Sequence, residues 1–558
     1  MKVLLVQPPI RDFYQTSIRT QPIGLAYLAA ALKNEGHEVE ILDCQTETKK
    51  SVSIPAELSY LKVFYPFNDR SPFKLYSGYY HFGMGWKEIG QKIRDSRADV
   101  FGISSSFTPY HGEALEIAQI IKEWGRRKIV VMGGAHVSCD PEGVLKSPSV
   151  DYVVLGEGEA RFPLLLEQIG KEKAKNIEKI DGIGYRNDRE IQINPLQNFI
   201  QDLDSLPHPA RELLDLDRYR MRKKRSTMII TSRGCPHGCA YCSGHLVMGT
   251  SFRIRTPEAI LKEMTECQKQ YGIKSFDIED DNFTFDQERA KRLMNLIIEA
   301  FGEGKIELSA MNGISFASLD GELLKLMKRA GFQTINLSYV STDPSTKERM
   351  RRPKPTTDFD RILEEAEQIG LHVIAYAILG MPGQTIEEMA DTLIYLMGKK
   401  VLIGPSVYYP TPGTPLYKRC IREGILPPHP VQWRSSAFPI ETKEFNRLDL
   451  LTLFRLSRVI NLIKGKMDGK ELEEGITWKE LFQVLKEKGK FKGKVDEDAT
   501  AWVDLLLLLD SEGSFFSLRK ESGRKISVEK EKSSKKVLDY FLEKASQKSV
   551  VKSRPSVA

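Results

Sequence analysis

Short apolar runs alternate with longer, Ala- and Leu-rich segments in the first part of the chain, apart from one interruption at 51–95. The spacing predicts strands at 2–6, 39–42, 100–104, 129–132 and 152–155, with helices at 23–34 and 113–124. Strands that alternate with helices predict an α/β domain with a doubly wound, Rossmann-like parallel sheet. Ligands of such sheets bind beyond the carboxyl ends of the strands.

The alternation resumes after residue 225. Predicted strands lie at 228–231, 275–278, 307–311, 335–339, 372–379 and 406–409, and helices between them at 257–271, 287–300, 321–330, 359–369 and 385–397. About six strand–helix units predict a partial (β/α)6 parallel barrel, in which chemistry collects at the carboxyl ends of the strands.

These patterns divide the chain into regions, with length alone pointing to several domains. We predict an N-terminal domain at 1–165 with an aromatic insertion at 51–95, a connector at 166–225, the barrel at 226–425, a small mostly helical region at 426–545 and a disordered tail at 546–558. The insertion is either a lid over a planar ligand or a local core, and packing is the favoured interpretation. In the C-terminal region, helices are predicted at 448–467, 478–488 and 500–509.

Composition narrows the classes of function. The net charge of +7 is small beside 82 basic and 75 acidic residues, so a nucleic-acid partner is not indicated. The seven cysteines are odd in number and three share one loop, which argues against a disulfide framework and for a reducing compartment. No apolar run approaches the ~20 residues of a membrane span, and the start of the chain does not resemble a signal peptide. We expect a cytoplasmic protein.

Three cysteines stand in one loop, Thr231 to Ser243, which has the sequence TSRGCPHGCAYCS. Their three thiolates, from Cys235, Cys239 and Cys242, suit an iron–sulfur cube in which each binds one iron and the fourth iron keeps an open position. An electron carrier would supply a fourth cysteine nearby, but the next one, Cys267, lies in a predicted helix. The spacing therefore predicts a catalytic cluster.

This cysteine spacing, with Tyr241 before the last cysteine, resembles the signature of the radical S-adenosylmethionine (SAM) enzymes. Segments 280–283, 380–385 and 410–416 are similar to later landmarks of that family. In the N-terminal part, GGAH at 133–136 and GEGE at 156–159 resemble the cobalamin-binding domain of the B12-dependent branch. The resemblance covers roughly residues 1 to 420 and does not extend to the C-terminal quarter.

The resemblance implies a [4Fe-4S] cluster, SAM and cobalamin as cofactors, which carry the hard chemistry. It implies that the reduced cluster cleaves SAM and that the resulting radical takes hydrogen from a substrate carbon. Methyl transfer from methylcobalamin to that carbon is the usual next step, here on a small molecule or a natural-product or lipid precursor. It also implies a reductant such as flavodoxin or ferredoxin. A B12-type cyclase or rearrangement enzyme, and a tRNA-modifying radical enzyme, are the alternatives; the oligomeric state is left open.

The resemblance also suggests which residues contact the cofactors. Asp43 to Thr48 lacks the histidine and glycine of the cobalt-ligating Asp-x-His-x-x-Gly pattern, so cobalamin is expected without a histidine ligand, and His136 is interpreted as a polar turn residue beside it. Glu157 and Glu159 could be an acid/base pair, but their glycines favour a turn touching the cofactor tail or the next domain. A glutamate of the family is absent from Leu337 to Ser341. The expected cobalamin contacts are Ser104, Ser105, Gly133, Gly134, His136, Gly156, Glu157 and Gly158, and those on the SAM side are Tyr241, Asp280, Asp281, Asn282, Asn312 and Ser341.

Overall fold

The structure is a computed structural model of the full chain. It describes residues 1–14, 20–170, 176–187, 190–352, 358–489, 497–520 and 526–554. Among these residues, no helix combines the length and apolarity that crossing a membrane requires.

The N-terminal part contains a seven-stranded sheet with the order β10-β9-β8-β7-β6-β1-β3, in which β8 to β3 run parallel. The predicted doubly wound sheet is therefore confirmed, and β9 and β10 extend it as an antiparallel edge. Its elements are β1 (Lys2–Gln7), β2 (Ile10–Asp12), α1 (Ile23–Asn34), β3 (Glu38–Asp43), β4 (Lys49–Ser51), β5 (Tyr80–Phe82), α2 (Trp86–Ser96), β6 (Val100–Ser104), α3 (His111–Trp124), β7 (Ile129–Gly133), α4 (Ala135–Cys139), α5 (Pro141–Leu145), β8 (Tyr152–Val154), α6 (Gly158–Ile169), β9 (Ile183–Asn187) and β10 (Glu190–Ile193).

Both faces of this sheet are covered by helices. Alternate residues of β1 point to opposite faces. Val3 and Leu5 pack in one apolar cluster with α1 and α6, while Leu4 and Val6 pack in another with α2 and α3. Burial on both faces explains why β1 is a nearly continuous apolar run.

Five aromatic residues of the insertion are buried, namely Tyr65, Phe73, Tyr76, Tyr79 and Phe82. Tyr76 is 6 % exposed and lies 6.4 Å, ring centre to ring centre, from Phe454 of the C-terminal region. Tyr65 meets Phe13 edge to face at 5.3 Å. Tyr65 and Tyr76 also pack on each other at 5.1 Å. The packing interpretation is thus confirmed for these side chains, whose partners lie both within and outside the insertion.

The second part contains six successive parallel strands, split into two sheets that short bridges join at residues 308 to 337. This confirms the partial barrel. Its elements are β11 (Arg220–Met221), β12 (Lys224–Ile229), β13 (Ser232–Arg233), α7 (Gly244–Met248), β14 (Arg253–Ile254), α8 (Pro257–Tyr271), β15 (Ser275–Ile278), α9 (Gln287–Phe301), β16 (Glu307–Ser309), α10 (Gly321–Ala330), β17 (Thr334–Val340), α11 (Pro344–Arg349), α12 (Phe359–Gln368), β18 (His372–Leu379), α13 (Ile386–Met397), β19 (Leu402–Val407) and α14 (Pro415–Arg422).

The last barrel strand, β19, covers 402–407, whereas the apolar pattern predicts 406–409. Gly404 and Pro405 obscure the pattern, because both weaken a strand prediction. Proline is tolerated here because β19 is the edge strand of its sheet.

The C-terminal region packs against this edge. Asn461 accepts a hydrogen bond from the backbone N–H of Ile403 at 2.9 Å and donates one to its carbonyl at 2.8 Å. The predicted helices are present, together with a hairpin that the sequence pattern misses. The elements are α15 (Arg447–Asp468), α16 (Trp478–Gly489), α17 (Glu497–Glu512), β20 (Phe516–Lys520), β21 (Ile526–Lys530) and α18 (Lys535–Ala545).

The segment after α18, predicted as a disordered tail, is held by the fold as far as it is described. The ammonium of Lys464, which is fully buried, donates to the carbonyls of Lys399 at 2.6 Å and Val551 at 2.7 Å. Ser553 N–H donates to Asp468 at 3.0 Å. Residues 555–558 of the predicted tail lie outside the described residues.

Candidate active site

The three-cysteine loop leaves the first barrel strand and returns as a hairpin. β12 ends at Ile229, and β13 then pairs antiparallel with β14. Cys235, Cys239 and Cys242 lie between these two short strands, at the carboxyl end of the barrel, and all three are free thiols. The predicted position of the loop at the mouth of the barrel is therefore confirmed.

The surroundings of these thiols suit sulfur ligands. The backbone N–H of Gly244 donates to Cys242 Sγ at 3.4 Å, and the Asn282 amide donates to Cys235 Sγ at 3.8 Å. Burial raises the pKa of Cys242 to about 11 and also raises that of Cys235. The thiols of Cys235 and Cys242 are therefore protonated near neutral pH, and binding of iron to these two sulfurs would release protons.

Within the described parts of the chain, no three His, Cys, Asp or Glu side chains converge closely enough to hold one metal ion. A cluster binds each cysteine at a different iron corner, so its thiols stand farther apart than the ligands of one ion.

The predicted Asp280, Asp281 and Asn282 support the cysteine loop from the next strand, β15. Asp280 is 3 % exposed and accepts hydrogen bonds from Thr231 N–H at 2.6 Å and Ser232 Oγ at 2.6 Å. Asp281 accepts from Gly234 N–H at 3.3 Å, and Asn282 reaches Cys235 as described above. These three side chains therefore form hydrogen bonds with residues of the cysteine loop.

Tyr241 is linked to the same loop through Arg352, which the sequence analysis misses. The Arg352 guanidinium donates to Tyr241 Oη at 3.3 Å and to Cys239 Sγ at 3.9 Å, and its other amine donates to the Ser338 carbonyl at 3.0 Å. Arg352 places a positive charge beside the sulfur of Cys239. Arg352 lies more than a hundred residues beyond the loop, so no local spacing points to it.

A cavity of about 370 Å³ lies between the N-terminal sheet and the barrel. Its lining includes most of the predicted cobalamin contacts, namely Ser104, Gly133, Gly134, Gly156, Glu157 and Gly158. Gly134 has φ of +110°, and a Cβ there would stand 2.8 Å from the Ser105 carbonyl oxygen. A glycine-lined cavity at the carboxyl ends of β6, β7 and β8 fits a nucleotide tail, because backbone can approach the ligand closely.

Two other predicted residues face elsewhere. His136 lines a separate cavity of about 860 Å³, where its Nδ1 is 3.1 Å from Thr108 Oγ1 and its ring centre is 4.3 Å from that of His111. Burial lowers the pKa of His136 to about 4, so its imidazole is neutral. Ser105 Oγ is 3.1 Å from His111 Nδ1. A cobalamin contact for His136 and Ser105 stays a prediction.

Glu157 and Glu159 reach across to the barrel. Arg233, directly before Gly234 and Cys235, contacts Glu157 Oε1 at 2.9 Å and Glu159 Oε1 at 2.6 Å. Arg253, at the other end of the loop, contacts Glu157 Oε1 at 2.8 Å. Burial alone would raise the pKa of Glu159, but Arg233 outweighs it and the pKa is lowered. The glycine-flanked turn therefore touches the next domain, as one of the two sequence interpretations has it.

A second group of carboxyls lies at the end of β15. Glu279 lines the interdomain cavity and accepts a hydrogen bond from the Asn312 amide at 2.8 Å. Burial and the neighbouring Asp277 raise the pKa of Glu279 to about 7. Asp277 accepts from Ser309 Oγ at 2.6 Å. Asn312 is thus placed at the barrel mouth, as predicted.

Ser341 is engaged in the fold. It is 1 % exposed; its hydroxyl donates to Glu388 at 3.3 Å and accepts from Asp343 N–H at 3.1 Å. A contact between Ser341 and SAM stays a prediction.

Comparisons with known proteins agree with this geometry. The family model of the radical SAM superfamily matches residues 229–396, and that of the B12 binding domain matches residues 79–166. An uncharacterized methyltransferase of Pyrococcus horikoshii is 27 % identical over 85 % of this chain and 95 % of its own length. The cytidylyl-2-hydroxyethylphosphonate methyltransferase of Streptomyces wedmorensis is 26 % identical over 78 % of this chain and 84 % of its own length. The anaerobic magnesium-protoporphyrin IX monomethyl ester cyclase of Synechocystis is 26 % identical over 65 % of this chain and 66 % of its own length.

Two solved structures share the fold. The radical SAM methyltransferase TsrM of Kitasatospora setae, solved with cobalamin and a [4Fe-4S] cluster, superposes with a TM-score of 0.57 at 20 % identity, covering 75 % of this chain and 78 % of TsrM. The cobalamin-dependent radical enzyme OxsB superposes with a TM-score of 0.58 at 15 % identity, covering 90 % of this chain and 70 % of OxsB.

The fold and the site together define a radical SAM barrel joined to a B12-binding domain. Over both of these domains the chain is similar to the B12-dependent radical SAM enzymes.

Proposed function

We propose that this protein uses a [4Fe-4S] cluster, SAM and cobalamin to methylate an unactivated carbon of a small molecule. The proposal rests on the relative position of the cysteine loop and the interdomain cavity. The three-thiol loop and the glycine-lined cavity lie on facing edges of the barrel and the N-terminal sheet, so both cofactors would act in one interdomain space. Relatives named as methyltransferases, one of them spanning 85 % of the chain, support methyl transfer over other outcomes.

When bound, these cofactors supply an electron, a carbon radical and a methyl group. The chain's own residues hold and orient them. Cys235, Cys239 and Cys242 would ligate three irons and leave the fourth open for SAM. Gly133 and Gly134 would admit the cobalamin tail, and no histidine lines that cavity among the described residues, which suits cobalamin without a histidine ligand.

The barrel mouth would receive the substrate. Its polar lining includes Glu279 and Asn312, which are hydrogen-bonded to each other. The reaction also needs electrons from a small reductant such as flavodoxin or ferredoxin. We place the enzyme in the cytoplasm, because free thiols persist in reducing surroundings.

A cyclase or rearrangement activity without methyl transfer is the second candidate, and the Synechocystis cyclase among the relatives favours keeping it. The two are separated by product mass. The test is to reconstitute the protein anaerobically, add SAM and dithionite, and measure 5′-deoxyadenosine by mass spectrometry. We expect its formation in wild type and its loss in Cys239→Ser. Absence of 5′-deoxyadenosine from the iron-loaded wild type would contradict radical chemistry altogether.

A further inference from the structure

Two arginines stand opposite each other at the base of the cysteine loop. In the β13–β14 ladder, Arg233 is the direct cross-strand partner of Arg253. Their side chains are 4 % and 3 % exposed. Like charges directly opposite on antiparallel strands destabilise the pairing, and burial weakens screening by solvent. The hairpin that closes the loop therefore needs an external negative charge.

Glu157 of the N-terminal domain supplies that charge. Its carboxylate is fully buried and contacts Arg233 at 2.9 Å and Arg253 at 2.8 Å through the same oxygen, Oε1. Its other oxygen accepts from Arg253 at 2.9 Å and from Ile200 N–H at 2.8 Å. One carboxylate thus joins both ends of the loop and the connector.

Arg253 extends the same contact along the loop. Its second amine donates to the Met248 carbonyl at 2.7 Å, at the end of the short helix α7 that follows Cys242. Arg233 also lies over the ring of Tyr27 from α1, at 5.3 Å. Helix α7 packs on α4 of the N-terminal domain, where Ser243 and Cys139 share a hydrogen bond. The loop is therefore fixed to the N-terminal domain before its first cysteine and after its last.

We propose that Glu157 is a positioning residue that closes the cluster loop only when the B12-binding domain is docked on the barrel. The inference rests on the proposed function in one respect, that this loop carries the cluster. It ties the geometry of the cluster site to the position of the second cofactor's domain. Glu159 assists through Arg233 alone, so its contribution is smaller.

The test is amide hydrogen exchange on the reconstituted holoprotein, comparing wild type with Glu157→Gln. The amide side chain keeps the shape but cannot neutralise two guanidinium groups. We expect exchange within 234–252 to rise about tenfold or more, because local opening of the hairpin becomes easier. We also expect the rate of 5′-deoxyadenosine formation from SAM to fall about tenfold, since small misplacements of a reacting group are costly.

Glu263→Gln is the matched control. Glu263 is 1 % exposed and also lies between two arginines, Arg211 at 2.6 Å and Arg255 at 2.5 Å, but its contacts do not include β13 or the cysteines. Its loss should lower overall stability comparably while leaving exchange within 234–252 close to that of wild type.

A double variant separates charge balance from loss of packing. Glu157→Gln with Arg253→Met removes the carboxylate and one of the two opposed positive charges. We expect it to restore part of the protection that Glu157→Gln alone loses, as a coupling between neighbouring sites.

Equal exchange in Glu157→Gln and wild type, or an equal rise in the Glu263→Gln control, would overturn the proposal. So would a double variant that is simply worse than either single change. If wild type forms no 5′-deoxyadenosine, the proposed function fails, while the exchange comparison in the same samples still decides the role of Glu157.

Discussion

Two regions that border the same interdomain cavity each contain a glutamate, in opposite electrostatic settings. One region is the contact between the N-terminal domain and the β13–β14 hairpin, and the other is the barrel mouth. Glu157, at the hairpin, contacts two arginines. Glu279, at the barrel mouth, lies beside the carboxyl of Asp277, and burial and this neighbour raise its pKa to about 7. One carboxylate is fixed and compensated; the other can gain or lose a proton near neutral pH.

The difference assigns different work to the two regions. The charge-compensated Glu157 joins the N-terminal domain to the barrel, which suits a positioning role. Burial and the neighbouring Asp277 raise the pKa of Glu279 to about 7, so Glu279 can change its protonation state near neutral pH. A group of this kind can bind a hydroxyl or amine of a ligand in either protonation state, which suits the substrate side of the cavity.

The largest effect is expected from removing one of the three thiols of the cysteine loop, which would hold the cluster. Cys239→Ser leaves two cysteines in the loop, and we expect the reconstituted iron content to fall from about four per chain to near zero. Iron and sulfide analysis measures this. Cys420→Ser, a buried cysteine in α14, is the control and should keep the cluster. A full cluster in Cys239→Ser would contradict the ligand assignment.

Binding of cobalamin at the glycine-lined wall of the cavity should depend on the shape of the backbone and not on charge. Gly134→Val forces a side chain into a position 2.8 Å from the Ser105 carbonyl and into a positive φ. We expect cobalamin affinity to fall about a hundredfold, corresponding to about 3 kcal/mol. Equilibrium dialysis with hydroxocobalamin checks this. Gly112→Ala, which has open space around its Cβ position, should bind as wild type does; unchanged affinity in Gly134→Val would remove the cavity from the cobalamin site.

Glu279→Gln removes the carboxyl that titrates near neutral pH at the barrel mouth. Glutamate ionises near 4.5 in the unfolded chain and near 7 in the fold, so wild type loses stability as pH rises between these values. The variant lacks that loss. We expect its stability relative to wild type to increase by about 2 kcal/mol between pH 5 and pH 8, measured by urea unfolding.

Glu258→Gln gives the opposite trend and serves as its control. A hydrogen bond from Arg292 lowers the pKa of Glu258, so its ionised form stabilises the fold above the unfolded value. The variant should lose relative stability as pH rises. A flat profile for Glu279→Gln would show that burial and Asp277 do not raise the pKa of Glu279 in the fold.

The smallest effect is expected at an exposed ion pair between α1 and the connector. Lys33 contacts Glu212 at 2.5 Å, but the two side chains are 44 % and 48 % exposed. Lys33→Ala should change the free energy of unfolding by less than about 0.5 kcal/mol. A larger loss in thermal unfolding would mean that burial is not what distinguishes Glu157 from surface pairs.

Sequence patterns predict the repeated strand–helix units and the functional residues that lie close together along the chain. The strand at 275–278 and the helix at 257–271 are recovered at their observed bounds, because period and caps are encoded within each segment. The cysteine loop is local as well. Glu157, by contrast, meets Arg233 and Arg253 only through tertiary packing, more than seventy residues away.

The same limit applies to the C-terminal region. The β20–β21 hairpin has strands of only five residues each, so its sequence pattern is weak. The aromatic residues of the insertion are recognisable as apolar, but their partner Phe454 lies far along the chain. Periodicity identifies a buried face and does not say which surface covers it.

The most direct test of the central claim, that both cofactors serve one methyl transfer, uses SAM with a trideuterated methyl group. The holoprotein is incubated anaerobically with reductant and a small-molecule extract of its source cells, and products are compared by mass with those of Cys239→Ser. We expect a product that carries the labelled methyl group in wild type and is absent from the variant. Formation of 5′-deoxyadenosine with an altered product that carries no label would contradict methyl transfer and favour a cyclase or rearrangement enzyme.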